Sequence, residues 1–201
     1  MAPDMAVVFI TGPVRSGKSA FASRLAGESG LDVTYVATAA ADPEDTEWRA
    51  RLARHASERP RSWRTVETAT LSNSKQLELF AGARAEQCLL VDALGTWLSA
   101  GIGARIELLE IDYMVLEAQL EREAAAFVDA MLASAARVIV VSEQVGWDVV
   151  PVAASARLFR DVMGRMAQRL AARSERAYLV VAGYALDLRE NGEPVAPALA
   201  Q

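Results

Sequence analysis

Gly12-Pro13-Val14-Arg15-Ser16-Gly17-Lys18-Ser19 decides how this chain is read. The eight residues match G-x-x-x-x-G-K-[ST], and they sit between an apolar run, Val7-Val8-Phe9-Ile10, and a helical pattern over 19–27. The spacing has a physical reason. A strand ends, the backbone turns tightly, and a helix begins with its N–H groups and dipole aimed at an anion. Gly17 lets the backbone approach phosphate oxygens closely. Lys18 then reaches the outer phosphates, and the Ser19 hydroxyl is a ligand for magnesium. The stretch therefore predicts a loop that holds a nucleoside triphosphate, GTP or ATP.

Outward from this loop, apolar runs alternate with helical patterns. Strands are expected at Val33-Thr34-Tyr35-Val36, Cys88-Leu89-Leu90-Val91, Val138-Ile139-Val140-Val141 and Tyr178-Leu179-Val180-Val181. Helices are expected over 44–59, 74–84, 106–135 and 153–173, and a small terminal hairpin over 186–189 with its turn at Asn191-Gly192. This alternation predicts an α/β fold of the P-loop NTPase kind, a mostly parallel sheet covered on both faces, in one domain over 1–201.

Composition narrows the class. With 52% hydrophobic and 23% charged residues the chain is globular rather than disordered. A formal net charge of −5 argues against nucleic acid as a partner. Cys88 is the only cysteine, so an intrachain disulfide is excluded and a reducing compartment fits. Met1-Ala2-Pro3-Asp4-Met5 lacks the positive region of a signal peptide, and no apolar run approaches a membrane span. A cytoplasmic location is expected.

Two further residues carry chemistry. Asp92 ends an apolar strand, the usual place for a carboxylate that holds magnesium directly or through water. The competing role is an N-cap for a following helix. His55 is the only histidine, and Trp48, Leu52 and His55 share a helix face. It reads either as a histidine packed beside an apolar stripe or as a phosphorus nucleophile. If the helix runs to Arg59, then Arg51 and Arg59 flank the imidazole, keep it neutral and favour negative charge on phosphorus.

From these residues the chain resembles a known family. Tyr35-Val36-Ala37-Thr38-Ala39 is followed by Asp45, Glu47, Arg51, Leu52 and His55, then by Arg59-Pro60, Trp63, Thr65 and Glu67. With the phosphate loop, this run is similar to the bifunctional adenosylcobinamide kinase and adenosylcobinamide-phosphate guanylyltransferases of cobalamin biosynthesis. Resemblance extends through Asp92, Trp97-Leu98, Val141-Ser142, Val145-Gly146, Pro151, Phe159-Arg160-Asp161, Gly164, Gln168 and Val181-Ala182-Gly183. It implies two steps: phosphorylation of the aminopropanol hydroxyl of adenosylcobinamide, then GMP transfer from GTP through a guanylylated histidine to give adenosylcobinamide-GDP. His55 holds that histidine's place, beside Lys18 and Asp92 as catalytic residues. The nucleotide contacts implied are Gly12 through Ser19 (Gly12, Pro13, Val14, Arg15, Ser16, Gly17, Lys18, Ser19), Ala37, Thr38, Ala39, Ala56, Ser57, Glu58, Arg59, Glu67 and Asp92, with Ser19 and Asp92 toward magnesium. It also implies a RecA-like fold and a homotrimer.

The chain departs from the family pattern in places. D-C-L-T-L-W-L-T-N becomes Asp92-Ala93-Leu94-Gly95-Thr96-Trp97-Leu98-Ser99-Ala100, and S-N-E-V-G becomes Ser142-Glu143-Gln144-Val145-Gly146. The carboxylate has moved by one residue, which on an extended segment turns it to the opposite face. Ala167 and Ala185 replace a usual asparagine and proline. These changes bear on the kinase half and on corrinoid binding more than on GTP. Two alternatives stand beside the bifunctional reading: a guanylyltransferase with weakened kinase, and a non-catalytic GTP-binding regulatory module. Glu143 and Asp92 are both candidates for the base that activates the acceptor hydroxyl.

Overall fold

A computed structural model describes residues 7–40, 44–57, 59–106 and 112–195. The chain runs β1 (Val7–Gly12), α1 (Lys18–Glu28), β2 (Asp32–Ala37), α2 (Thr46–Ser57), β3 (Arg64–Glu67), a 3-10 turn (Thr68–Thr70), α3 (Asn73–Ala81), β4 (Gln87–Asp92), α4 (Leu94–Ile106), α5 (Tyr113–Leu132), β5 (Arg137–Glu143), α6 (Ala154–Arg173), β6 (Arg176–Val181), β7 (Tyr184–Asp187) and α7 (Leu188–Asn191). The seven strands form one sheet in the order β3-β2-β4-β5-β1-β6-β7. Its pairings are parallel except β6 with β7, which is antiparallel.

Alternation along each central strand sends side chains to two separate cores. Val7 and Phe9 join Leu89, Val91, Val138 and Val140 beneath the helices of one face, together with Phe80, Phe127 and Met163. Val8 and Ile10 join Leu90, Ile139 and Val141 on the other face, against Ala22 and Ala26 of α1. Strands buried on both faces read as continuous apolar runs, which is why all five expected strands, the one before the loop included, are found where the sequence puts them. The larger core is keyed by Phe127, which stacks on Trp97 at 4.5 Å between ring centroids and meets Phe80 edge-on at 5.4 Å.

Several boundaries differ from expectation, each for a local reason. Of the helix expected over 106–135, α5 spans Tyr113–Leu132, and residue 106 is the last of the preceding helix. Asp112 caps α5 by accepting from the N–H groups of Met114 and Val115, and residues 107–111 lie outside the described residues. The preceding helix, α4, has no apolar stripe to announce it. The helix expected over 44–59 spans only Thr46–Ser57. The terminal hairpin exists, but its turn is at Ala182-Gly183, both with positive φ, and Asn191-Gly192 instead closes the short helix α7. Strand β3, absent from the expectation, is an edge strand with a mostly exposed, polar sequence.

Asp187 holds the C-terminal end together. It caps α7 through the N–H groups of Arg189 and Glu190 and pairs with Arg176 of β6 at 2.8 Å. Desolvation works to raise its carboxyl, but the Arg176 guanidinium and the two N–H donors outweigh it and hold it below the usual value. A depressed aspartate stabilises the fold above its unfolded pKa, and that contribution disappears as pH falls through the folded one. Asp187→Ala is therefore expected to lower stability at neutral pH by roughly 1–2 kcal/mol, as for a lost helix cap. The gap from wild type should narrow as denaturation is repeated at increasingly acid pH; a gap that stays constant would contradict the pairing. Phe127→Ala is expected to cost about 3–5 kcal/mol in denaturant melts, whereas a loss under about 1 kcal/mol would mean that the large core does not close around this ring.

Candidate functional site

The carboxyl ends of the parallel strands form one edge, and the functional side chains line up along it. Register places Glu67 opposite Ala37, Ala37 opposite Asp92, and Glu143 opposite Gly12. In open α/β sheets, the crevice outside this edge is where ligands bind.

The phosphate loop leaves β1 at Gly12 and enters α1 at Lys18. Gly17, at φ +98°, is the residue before the helix and adopts a left-handed conformation that an L side chain would strain. The loop is held by Ser16 N–H to Pro13 C=O at 3.3 Å and by Gly183 N–H to Ser16 C=O at 2.9 Å. Lys18 is buried, and its Nζ donates to the Pro13 carbonyl at 3.2 Å. Val14 stands exposed at the loop's outer turn, and Arg15 carries positive φ.

Asp92 lies beside this loop. Its Oδ1 accepts from Ser19 Oγ at 3.3 Å and its Oδ2 from Tyr35 Oη at 2.7 Å. Burial, and then the adjacent carboxylate, raise the Tyr35 hydroxyl well above its usual value, so it remains a donor. The Arg59 guanidinium stacks over the Tyr35 ring, 3.6 Å from its centroid. Thr38 follows β2 and is buried; its hydroxyl donates to the Ala93 carbonyl at 2.5 Å and meets the Thr96 hydroxyl at 2.6 Å. Lys18, Ser19, Asp92, Thr38 and Arg59 are thus drawn into one connected site, with Ala37 and Glu67 on its rim.

The arrangement fits an anionic, polar ligand. Among the described residues, three buried side-chain N or O atoms have no hydrogen-bond partner, and two of them, Ser16 Oγ and Arg59 Nε, belong to this site. A buried donor without a partner is costly, and phosphate oxygens are acceptors of the right chemistry for both. The hydroxyl of Ser19 and the Asp92 carboxylate are oxygen donors suited to magnesium.

Other expected residues lie farther out. His55, Ala56 and Ser57 occupy the last turn of α2, a helix with no buried residue, and Glu58 lies outside the described residues. His55 is half-buried and has no hydrogen bond or ion pair among the described residues. The arginines do not flank it along one helix. α2 ends at Ser57, Arg59 turns away onto Tyr35, and the Arg51 guanidinium lies over the Trp48 ring at 5.7 Å. Arg51 and Arg59 therefore do not act on the imidazole as two neighbours along one helix. Trp48 anchors the helix start to the chain leaving β2, through Nε1 to the Ala40 carbonyl at 2.9 Å.

Sequence reading overlooked Tyr35 as a site residue in its own right, treating it only as part of a strand and a motif. Its signal was present: a phenol within a buried strand ending next to the carboxylate strand. Glu143 and Gln144 take opposite directions, as alternation predicts. Glu143 Oε2 accepts from Gly95 N–H at 2.8 Å, while Gln144 Oε1 accepts from Thr11 Oγ1 at 3.4 Å. Burial raises the Glu143 carboxyl above its usual value; the Gly95 N–H and Lys18 offset part of that effect.

Comparison with known proteins agrees with this geometry. The family model described as cobinamide kinase / cobinamide phosphate guanyltransferase matches residues 8–188. The bifunctional adenosylcobalamin biosynthesis protein CobP of Pseudomonas aeruginosa is 39% identical over 186 residues, covering 92% of this chain and 98% of that protein. The bifunctional adenosylcobalamin biosynthesis protein CobU of Escherichia coli is 32% identical, covering 91% and 99%. A solved structure of a prototypical ATPase from the type III secretion system of pathogenic bacteria superposes with a TM-score of 0.56 at 8% identity, over 94% of this chain and 59% of that one; the likeness is one of fold alone. With a phosphate loop, a carboxylate at the end of β4 and a match over nearly its whole length, the chain belongs to the cobinamide kinase / cobinamide phosphate guanyltransferase family.

Proposed function

We propose that this chain phosphorylates adenosylcobinamide and then transfers GMP from GTP to adenosylcobinamide phosphate, with both reactions drawing on the one phosphate loop. The observation that carries the reading is the continuous path Arg59–Tyr35–Asp92–Ser19, which ties the segment just after His55 to the triphosphate loop.

In the first reaction, the loop N–H groups of residues 14–19 and the Lys18 ammonium hold the triphosphate. The aminopropanol oxygen forms a bond to the γ-phosphorus as the β–γ bridging bond breaks, and the nucleoside diphosphate leaves. Such transfers pass through a loose transition state, so positioning and charge neutralisation do most of the catalysis. Ser19 Oγ and Asp92 would hold magnesium, which supplies charge neutralisation on the phosphate oxygens. Tyr35 holds Asp92 in its orientation by donating to Oδ2.

In the second reaction, a ring nitrogen of His55 attacks the α-phosphorus of GTP and pyrophosphate leaves. A phosphate oxygen of the corrinoid then displaces the imidazole, which regenerates His55. An imidazole at the end of a surface helix, with no hydrogen bond to the described residues, is available to act as a nucleophile. The Arg59 guanidinium has an unmet donor for phosphate oxygens. Ala37, Thr38, Ala39, Ala56, Ser57, Glu58 and Glu67 complete the nucleotide contacts in this reading. The chain works as a homotrimer in the cytoplasm; no helix among the described residues is long and apolar enough to cross a membrane. A helix that buries none of its own residues is suited to packing on a neighbouring subunit.

Incubation with GTP labelled at the α-phosphate should leave acid-labile label on the protein, and His55→Asn should abolish it. Equal labelling of both proteins would sink the covalent step. Lys18→Ala should impair both activities, whereas His55→Ala should spare phosphorylation of adenosylcobinamide. If both substitutions abolish only the same single step, the loop does not serve two reactions.

A further inference from the structure

Two carboxylates stand near the phosphate loop, and their surroundings give them different tasks. Asp92 has both oxygens engaged, Oδ1 by Ser19 and Oδ2 by Tyr35. A carboxylate committed in this way is suited to holding position and charge. Glu143 lies at the end of β5, in register with Gly12, the first residue of the loop. Its Oε2 accepts from Gly95 N–H at 2.8 Å, which leaves Oε1 as the oxygen to receive a proton.

The space around Glu143 is shaped for it. A Cβ added at Gly95 would lie 2.4 Å from Oε2 and 2.7 Å from the carboxyl carbon. Real side chains do not approach so closely, so Gly95 and Glu143 exclude a larger residue at 95 while the carboxylate keeps this position. Gln144, one residue later, points to Thr11 instead, and its N–H binds the Gly12 carbonyl at 2.9 Å. Residue 143 therefore directs a carboxylate toward the α4 start, within the electrostatic reach of Lys18, and residue 144 braces the loop from the other side.

We propose that Glu143, seated in the space left by Gly95, is the general base of the phosphoryl-transfer step. The proposal rests on the kinase half of the function given above. As the acceptor oxygen bonds to the γ-phosphorus, its O–H bond breaks and the proton passes to Glu143 Oε1. The electron pair of the cleaved β–γ bridge leaves with the nucleoside diphosphate, and Glu143 later returns the proton to solvent. Burial favours the protonated carboxyl, which improves it as an acceptor. Gly95 is a positioning residue. The guanylyl-transfer step uses an acceptor that is already an anionic phosphate, so it needs no base at this place.

The test assays the two half-reactions separately on the full chain, with adenosylcobinamide for phosphorylation and pre-formed adenosylcobinamide phosphate for GMP transfer. Glu143→Gln keeps the shape and the acceptor for Gly95 N–H. It should lower phosphorylation by about 10²–10⁴-fold, the usual contribution of a general base, while GMP transfer stays at the wild-type rate. Gly95→Ala should displace the carboxylate and lower phosphorylation alone. Added to Glu143→Gln, it should cause no further loss, because the two substitutions remove the same interaction. Phosphorylation that survives Glu143→Gln overturns the assignment, and so does a parallel loss of both activities, which would mark a structural or metal-holding role. A wild-type protein that lacks phosphorylation altogether would overturn the functional reading itself, and this inference with it.

Discussion

The Asp92 carboxylate is the junction on which the site depends. β4 carries it to the sheet edge between β2 and β5, where Ser19 reaches it from the phosphate loop and Tyr35 from the neighbouring strand. Each partner comes from a different part of the chain, so the site exists only when the parallel sheet is in register. A one-residue slip of β4 would turn Asp92 to the opposite face and break both hydrogen bonds together. The two cores above and below the sheet enforce that register, since slippage would also reverse every apolar residue of the strand. Stability of the fold and geometry of the site are therefore one constraint.

This junction also explains how distant motif residues become neighbours. Arg59 follows the surface helix α2 and returns over the Tyr35 ring; cation–π contact fastens it, with no carboxylate partner among the described residues. Its Nε, which has no hydrogen-bond partner among the described residues, is a donor that a ligand can meet. On the other side, β5 lies between β4 and β1, which brings Glu143 and Gln144 to the loop from opposite faces of one strand end. The shift of the carboxylate by one residue relative to the family pattern is accommodated by a glycine where that pattern carries threonine.

Much of the fold was legible in the sequence because its central strands are buried on both faces and appear as short unbroken apolar runs. The phosphate loop was legible because its spacing is a geometric requirement. What escaped has equally physical causes. β3, Arg64–Glu67, pairs at the sheet edge with little burial, so no hydrophobic pattern betrays it. α4 is apolar on nearly all sides and contains Gly95, Gly101 and Gly103, which read as breaks; packing against the core overrides that weak propensity. Asn191-Gly192 carries the dipeptide of a hairpin turn, yet Asp187 captures the preceding N–H groups and makes a helical turn instead. In the site, Lys18, Ser19 and Asp92 followed from spacing, whereas the place of Arg59, over the Tyr35 ring, depended on where α2 ends.

The central claim is that one phosphate loop feeds both chemistries. A nonhydrolysable GTP analogue, titrated as a competitive inhibitor of phosphorylation and of GMP transfer in the same preparation, tests it most directly. The account predicts a single inhibition constant for both activities and parallel weakening of both by Lys18→Ala. Two well-separated constants, with only one of them sensitive to Lys18, would contradict it.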